Sequence, residues 1–142
     1  MQSQIQMSRE LEKILEKELA GEWLGVEAEI VNNKVYIYII WDSVYYESIE
    51  EECTEAGYEN TDSCVEETIH QIFMDNYYYP RIEIEDANNY KAKAVTDIDY
   101  DTTIVRFVTT IEIRYRKEID NHDISEISEI AKKIVKALFE LV

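Results

Sequence analysis

The one compact carboxylate cluster with metal-like spacing consists of Asp97, Asp99 and Asp101. Alternate residues of a strand share a face, so these side chains could together bind a hard cation such as Mg²⁺ or Ca²⁺. A helix-loop-helix calcium loop also needs Gly at its sixth position and Glu at its twelfth, where this chain has Thr102 and Val108. The sequence therefore favours a polar β-turn at this place, and no metal or cofactor is predicted.

A second group of charged residues lies just before this cluster. It contains three carboxylates followed by two lysines: Glu83, Glu85, Asp86, Lys91 and Lys93. The order is similar to the acidic-acidic-lysine arrangement of metal-dependent nucleases, but the spacing does not fit that pattern. A strongly acidic protein would also repel a nucleic-acid substrate. We therefore do not predict a nuclease.

The histidines and glycines offer no catalytic arrangement either. Cys64 precedes His70 by about 1.7 helical turns, which places the two side chains on different faces of a predicted helix. His122 has no nearby nucleophile that would complete a triad. Three glycines in the whole chain can hardly form a phosphate-binding loop. The protein is not predicted to be an enzyme.

The two cysteines, Cys53 and Cys64, lie in an acidic neighbourhood. They could form a disulfide, but a chain without an export signal favours free thiols. Nearby carboxylates disfavour the thiolate, so neither cysteine is expected to be a reactive nucleophile.

The strongest feature of the sequence is an uneven distribution of charge. Residues 35–80 contain eleven carboxylates and eight of the eleven tyrosines but no Lys or Arg, whereas residues 81–117 carry seven acidic and seven basic residues. The net charge of −17 repels nucleic acid and anionic membranes and attracts basic protein surfaces. We predict a protein-binding surface in residues 35–80, with neither nucleic acid nor membrane as a direct partner.

For the first half of the chain, hydrophobic periodicity predicts one helix, then a β-hairpin, then two more helices. A helix is predicted over 4–20 with Ser8 as a possible cap, then strands over 27–31 and 34–41 joined at Asn32 and Asn33. The second strand is apolar on both faces, which predicts a central strand covered on both sides, or covered on one side by a partner. A helix capped by Asp42 or Ser43 should end at Gly57, and a helix capped by Ser63 and Glu66 should run to Pro80.

The second half alternates with period two and ends in a helix. Strands are predicted over 81–86, 90–98 and 102–116, with turns at residues 88–89 and 99–101. A final helix, capped by Asp123 and Glu126, has an apolar stripe at Ile127, Ile130, Ile134, Leu138 and Leu141. The order α-β-β-α-α-β-β-β-α predicts one α+β domain over residues 1–142: an antiparallel sheet of about five strands with helices packed on one face.

Length and composition fit a folded domain of this class. A chain of 142 residues with 46% hydrophobic residues can bury a core without staples. The sequence has no apolar run long enough to span a membrane and no signal-peptide layout at its start. It is therefore expected to be a soluble, cytoplasmic protein.

Our first functional hypothesis is a small inhibitor that occupies a basic surface of a partner which normally handles nucleic acid. Carboxylates along helices can present negative charge on a scale comparable to duplex phosphates, which lie about 1.7 Å apart along the axis. In charge character the chain resembles the DNA-mimic inhibitors that phages and mobile elements use against restriction or CRISPR systems. The predicted partner-binding residues are Glu47, Glu50, Glu51, Glu55, Tyr58, Glu59, Asp62 and Tyr78.

The second hypothesis is a chaperone-like binding module. The chain is similar in size, charge and helix-first, helix-last layout to small acidic α+β secretion chaperones. That resemblance implies a homodimer that holds an unfolded client segment on exposed apolar strand surface. The chain differs from that group in having three strands after the central helices and few leucines.

Overall fold

The computed structural model describes residues 3–19 and 25–140. These residues form nine elements in the predicted order α-β-β-α-α-β-β-β-α. They are α1 (Gln4–Glu18), β1 (Gly25–Val31), β2 (Lys34–Tyr45), α2 (Tyr46–Glu55), α3 (Asp62–Asn76), β3 (Ile82–Asp86), β4 (Tyr90–Tyr100), β5 (Ile104–Tyr115) and α4 (Ile124–Glu140). The predicted α+β class is confirmed. The predicted end of the first helix at residue 20 and the last stripe residue, Leu141, lie outside the described residues.

The five strands form one sheet in the order β1-β2-β5-β4-β3, with every neighbouring pair antiparallel. Burial alternates along β5, because successive side chains of a strand point to opposite faces. The buried set packs against the helices and comprises Val105, Phe107, Thr109, Ile111, Ile113 and Tyr115. All four described helices therefore lie on one face of the sheet, as predicted, and we call the other face the open face.

Among the described residues, two hydrophobic clusters share the helix-covered face. The larger cluster joins α1 and α4 to one end of the sheet, and the smaller cluster joins α2 and α3 to the other end. Between them runs a row of buried polar groups on three strands. Trp41 donates its indole N–H to Thr109 Oγ1 at 2.6 Å, and the Thr109 and Thr96 hydroxyl oxygens are 2.6 Å apart. The hydroxyls are tolerated there because each has a hydrogen-bond partner.

The boundary between β2 and α2 differs from the prediction. Asp42 and Ser43 do not cap a helix; both pair with β5, and the strand continues to Tyr45. The register shifts between Ile40 and Asp42, so Trp41 is the additional residue of a β-bulge. A bulge moves the residues after it to the opposite faces of the sheet. The apolar spacing after Trp41 therefore resembles a helical pattern, although these residues continue the strand.

Helix α1 covers the outer edge of the sheet as well as its face. The Ser8 hydroxyl accepts the Ile30 N–H at 2.8 Å, and Glu12 Oε1 accepts the Ala28 N–H at 3.0 Å. These are donors on edge strand β1 that would otherwise be open to another strand. Ser8 is therefore an edge-covering residue, and the helix is capped instead by Ser3, in a capping box with Gln6.

Strand β2 is central, as predicted, since it lies between β1 and β5. One of its faces is buried by the larger cluster. On its other face, Tyr36, Tyr38 and Ile40 are only half-buried by their neighbours on the sheet, and none of the four described helices covers them. The expectation of cover on both sides by this chain is therefore wrong for the described residues, and cover by a partner stays a prediction.

Candidate protein-binding surface

We call residues 46–76 the acidic unit. They comprise α2, the connecting loop and α3, and they carry ten carboxylates and no Lys or Arg. Nine of the ten side chains are exposed, and only Glu50 is half-buried. None of the ten forms an ion pair with any residue in 3–19 or 25–140. The acidic unit therefore has negative charge that the described part of the chain does not neutralise.

The turn that closes α2 is built as predicted around Gly57. This residue has φ of 94°, a conformation that Gly adopts without steric cost. Its N–H bonds to Thr54 O at 3.0 Å, while the Tyr58 N–H bonds to Cys53 O at 3.2 Å, which together form a Schellman motif. The chain then reverses within a few residues, so that α3 packs beside α2.

The cysteines form a disulfide, and the expectation of free thiols is wrong. Cys53 and Cys64 have Cα atoms 6.0 Å apart, within the usual range for a bridged pair. Cys53 points inward from the last turn of α2 and is 3% exposed, and Cys64 lies in the first turn of α3. The Gly57 turn brings these two positions together. The bond staples the two helices of the acidic unit.

This staple opposes electrostatic repulsion within the acidic unit. Glu51 lies four residues from both Glu47 and Glu55, a spacing at which like charges on a helix repel each other. Neither α2 nor α3 has a basic residue in its last turn, where a cation would favour the helix dipole. The smaller hydrophobic cluster and the disulfide hold these helices together despite the repulsion.

Tyr46, at the start of α2, lies close to carboxylates of both helices. Desolvation, then Asp62, Glu50 and Glu66, raise the pKa of Tyr46 above its ordinary value. Tyr100, at the end of β4, has its pKa raised by desolvation and by the same Glu66. Carboxylates of the acidic unit thus lie close to the nearby end of the sheet, with Tyr46 and Tyr100 beside them.

The run of three tyrosines after α3 divides between core and surface. Tyr77 stacks on Phe107 with ring centroids 4.9 Å apart, and Tyr79 packs 5.1 Å from Trp41. Tyr78 is 52% exposed and packs edge-to-face with Phe73. Tyr78 is thus the exposed ring of the three, while Tyr77 and Tyr79 pack against the sheet. Helix α3 ends at Asn76, four residues before Pro80 and earlier than predicted.

Tyr77 also ties the acidic unit to the sheet by a polar contact. Its hydroxyl donates to Asp42 Oδ2 on β2. Desolvation and this contact raise the pKa of Tyr77 to about 12. The side chain that sequence analysis assigned to a helix cap, Asp42, therefore anchors the residue that follows α3.

The eight predicted binding residues all lie on or next to the acidic unit. Seven are exposed and Glu50 is half-buried: Glu47, Glu50, Glu51, Glu55, Tyr58, Glu59, Asp62 and Tyr78. Tyr78 lies two residues beyond α3 and joins the group through its contact with Phe73. Sequence reasoning missed Glu66 and Tyr100. Glu66 could have been predicted, because it lies one turn after Asp62 on the same helix. Tyr100 lies on a strand, and the sequence does not indicate that it approaches α3.

The weaker sequence candidates are held in separate contacts. Asp99 Oδ2 pairs with Arg106 at 2.8 Å, and Asp101 Oδ1 accepts the Thr102 N–H at 2.7 Å. Within residues 3–19 and 25–140, no three His, Cys, Asp or Glu side chains converge to hold a metal ion. His70 is exposed on α3.

The lysines of the nuclease-like group also have separate partners, which are carboxylates on neighbouring strands. Lys93 lies 3.3 Å from Glu112, and Lys91 lies 3.8 Å from Glu85. These contacts are cross-strand ion pairs on the sheet surface.

Comparisons with known proteins supply no role that could be transferred to this chain. No family model matches it, and there is no significant match among curated proteins or solved structures. None of the described helices is long and apolar enough to span a membrane.

Proposed function

We propose that the protein is a small acidic inhibitor whose acidic unit binds a basic protein surface, one that normally holds nucleic acid. The observation that carries the proposal is the set of ten carboxylates in residues 46–76 without a single cation or ion pair among the described residues. Isolated exposed acids are common on soluble proteins, but a folded two-helix unit with charge of one sign is a complementary surface for a cationic groove.

Binding a cationic surface would relieve the strain that the acidic unit carries in isolation. Repulsion between Glu51 and its neighbours falls when a Lys or Arg of a partner lies between them. Tyr58 and Tyr78 add apolar area at the border of this charge, and an arginine can both stack on tyrosine and pair with a carboxylate. These features favour a protein partner rich in arginine. A partner that handles nucleic acid would lie in the cytoplasm, where we expect this protein to act. Disulfides are rare in that compartment, so this proposal requires the Cys53–Cys64 bond to persist there.

The test is affinity capture from cell lysate with wild-type protein and with the triple variant Glu50→Gln, Glu51→Gln, Glu55→Gln. We expect the wild type to retain a basic nucleic-acid-binding protein at about 50 mM salt and to lose it at about 500 mM. Salt screens both the long-range attraction between the proteins and the ion pairs in their contact. The triple variant should retain at least about tenfold less of the same protein. The captured protein should also release its own nucleic acid when the inhibitor is added.

The matched control removes three carboxylates elsewhere on the molecule. The variant Glu10→Gln, Glu16→Gln, Glu118→Gln changes the net charge by the same amount at exposed sites outside the acidic unit. It should retain the partner almost as well as the wild type. Equal losses in both triple variants would mean that only overall charge matters, and unchanged binding in the first variant would overturn the proposal.

A second candidate function is favoured by the open face of the sheet. Its half-exposed centre around Tyr36, Tyr38 and Ile40 resembles the strand surface on which secretion chaperones hold a client. Such binding would be tolerant of salt and independent of the acidic unit. Capture of one apolar client at both salt concentrations, equally by both triple variants, would favour this candidate over the inhibitor.

A further inference from the structure

The outward-facing residues of β4 form a self-complementary sequence on the open face. In order along the strand they are Lys91, Lys93, Val95, Asp97 and Asp99, and all five are exposed. Two cations are followed by an apolar residue and then by two carboxylates. If a second β4 runs antiparallel to the first and is centred on Val95, each lysine lies opposite an aspartate.

The residues beside this strand supply a centre without charge, which Glu27 borders on β1. Val95 lies opposite Thr110 on β5, and Thr110 lies opposite Tyr38 on β2. One step further along the strands, Ile40 lies opposite Val108. Val95 is 39% exposed, and the other four are half-buried only by their neighbours on the sheet. An apolar centre with a charged border is the usual composition of a protein interface.

From these two observations we infer that the open face binds the open face of a second copy of the chain, forming a symmetric dimer. The two-fold axis lies in the plane of the interface, perpendicular to the strands and close to Val95. Lys91 of each copy then faces Asp99 of the other, and Lys93 faces Asp97. On β5 the same axis places Arg106 of each copy opposite Arg114 of the other. Each arginine keeps the carboxylate with which it pairs in its own copy, Asp99 for Arg106 and Glu112 for Arg114, and these carboxylates offset the repulsion.

The charge distribution makes the open face the surface on which two copies of this chain repel each other least. Each protomer has a net charge of −17, so most of its surfaces repel one another, whereas residues 81–117 carry seven acidic and seven basic residues. In the proposed dimer the two acidic units lie on the far sides of the two sheets. Two sheets about 10 Å apart and a helix layer on each side separate them by more than the screening length of about 8 Å.

The size of the open face is adequate for such a contact. Five strands about 4.8 Å apart, each contributing outward residues over about 26 Å, give a footprint on the order of 600 Å². A standard interface buries about 800 Å² of accessible surface per partner, and side chains make accessible surface larger than its footprint. Sheet-on-sheet packing of this kind is aligned, with the strands of the two copies about 30° apart.

Charge reversal tests the inference through two variants. The acidic variant carries Lys91→Glu and Lys93→Glu, and the basic variant carries Asp97→Lys and Asp99→Lys. By analytical ultracentrifugation, the wild type should have twice the chain mass of 16.8 kDa. Each variant alone should dissociate, with Kd raised at least about tenfold, because like charges face each other. An equimolar mixture should restore a dimer that contains one of each.

The mixing result separates the interface from a folding defect, because only folded variants can restore it. A control variant, Lys133→Glu with Lys136→Glu, changes the same number of charges at exposed positions of α4 and should leave the dimer intact. A monomeric wild type over about a hundredfold range of concentration would overturn the inference. So would a dimer that is unaffected by either β4 variant, or a monomer that uses this face to bind an apolar peptide.

The dimer and the proposed inhibitor are independent claims. The dimer uses the open face, and the proposed partner binds the acidic unit on the opposite side of the sheet. Charge reversal on β4 should therefore leave capture of a basic partner in place, and the Glu→Gln triple variant should leave the dimer in place.

Discussion

The acidic unit and the open face of the sheet carry charge in opposite ways. Across residues 46–76 there are ten carboxylates and no Lys or Arg, and none of these carboxylates is paired within the described residues. On the open face, acids and bases pair across neighbouring strands, as in Lys93–Glu112 and Arg106–Asp99, and a row of cations, Lys34, Arg114 and Lys91, crosses three strands. The first surface can be neutralised only by another molecule, whereas the second is already balanced.

This difference shows how one small chain can keep two surfaces for two kinds of contact. A surface of one sign attracts a cationic partner from a distance and repels copies of itself. A balanced surface has no such long-range preference, so shape and register decide what binds it. The helices hold the first surface on one side of the sheet, while the second lies on the other side.

The largest expected effect concerns what holds the acidic unit together. Replacing Cys53 and Cys64 by Ala should lower the free energy of unfolding by about 2–4 kcal/mol, because the staple no longer restricts the unfolded chain. Repulsion between the two helices adds to the loss, so salt should recover part of it. Urea unfolding at low and high salt measures both effects.

A reducing agent provides the control for this experiment. Wild-type protein treated with dithiothreitol should unfold like the double alanine variant, and the variant itself should be insensitive to the reagent. Two titratable thiols in untreated wild-type protein would contradict the disulfide and show that the expectation of free thiols was right.

A smaller effect is expected at the contact between the acidic unit and the sheet. Tyr77→Phe removes the hydroxyl that donates to Asp42 and should lower the free energy of unfolding by about 1–2 kcal/mol at neutral pH. The matched change Tyr78→Phe, at a ring that is 52% exposed, should change it by less than about 0.5 kcal/mol. Equal losses in the two variants would show that the Asp42 contact does not stabilise the protein.

The same contact makes a prediction about alkaline pH. The pKa of Tyr77 is raised to about 12 in the folded protein, above its ordinary value of 10.0. The neutral hydroxyl therefore stabilises the fold below pH 10.0, and this contribution is lost as the pH rises through the folded value, since the unfolded chain ionises first. The stability difference between wild type and Tyr77→Phe should shrink over that interval. A constant difference would exclude a raised pKa at this residue.

The element order was predictable because the hydrophobic pattern changes period clearly along the chain. The alternation in residues 102–116 and the helical stripe at the end of the chain each fix one buried face. The positive φ of 56° at Asn32 also agrees with the turn that two asparagines predict. These features depend on neighbours in sequence, so the sequence alone was sufficient for them.

The features that were missed depend on residues distant in sequence. The bulge at Trp41 follows from pairing with β5, more than sixty residues away, and it kept Asp42 and Ser43 in a strand. The disulfide depends on how tightly α2 and α3 are joined, which an export-signal argument cannot reveal. In the acidic unit, composition predicted the charge, but the approach of Tyr100 to Glu66 required the packing of β4 beside α3.

The smallest predicted effect tests the electrostatic difference between the two surfaces directly. Glu51→Gln with Glu55→Gln should raise the free energy of unfolding by about 0.5–1 kcal/mol, because it removes like-charge neighbours and a carboxylate at the carboxyl end of α2. The matched change on the open face, Glu85→Gln with Glu112→Gln, removes carboxylates that pair with Lys91 and Lys93 and should lower it by a few tenths. Thermal and urea unfolding at low salt resolve the two signs. If both double variants are stabilised equally, net charge alone governs the response, and the acidic unit has no special repulsion for a partner to relieve.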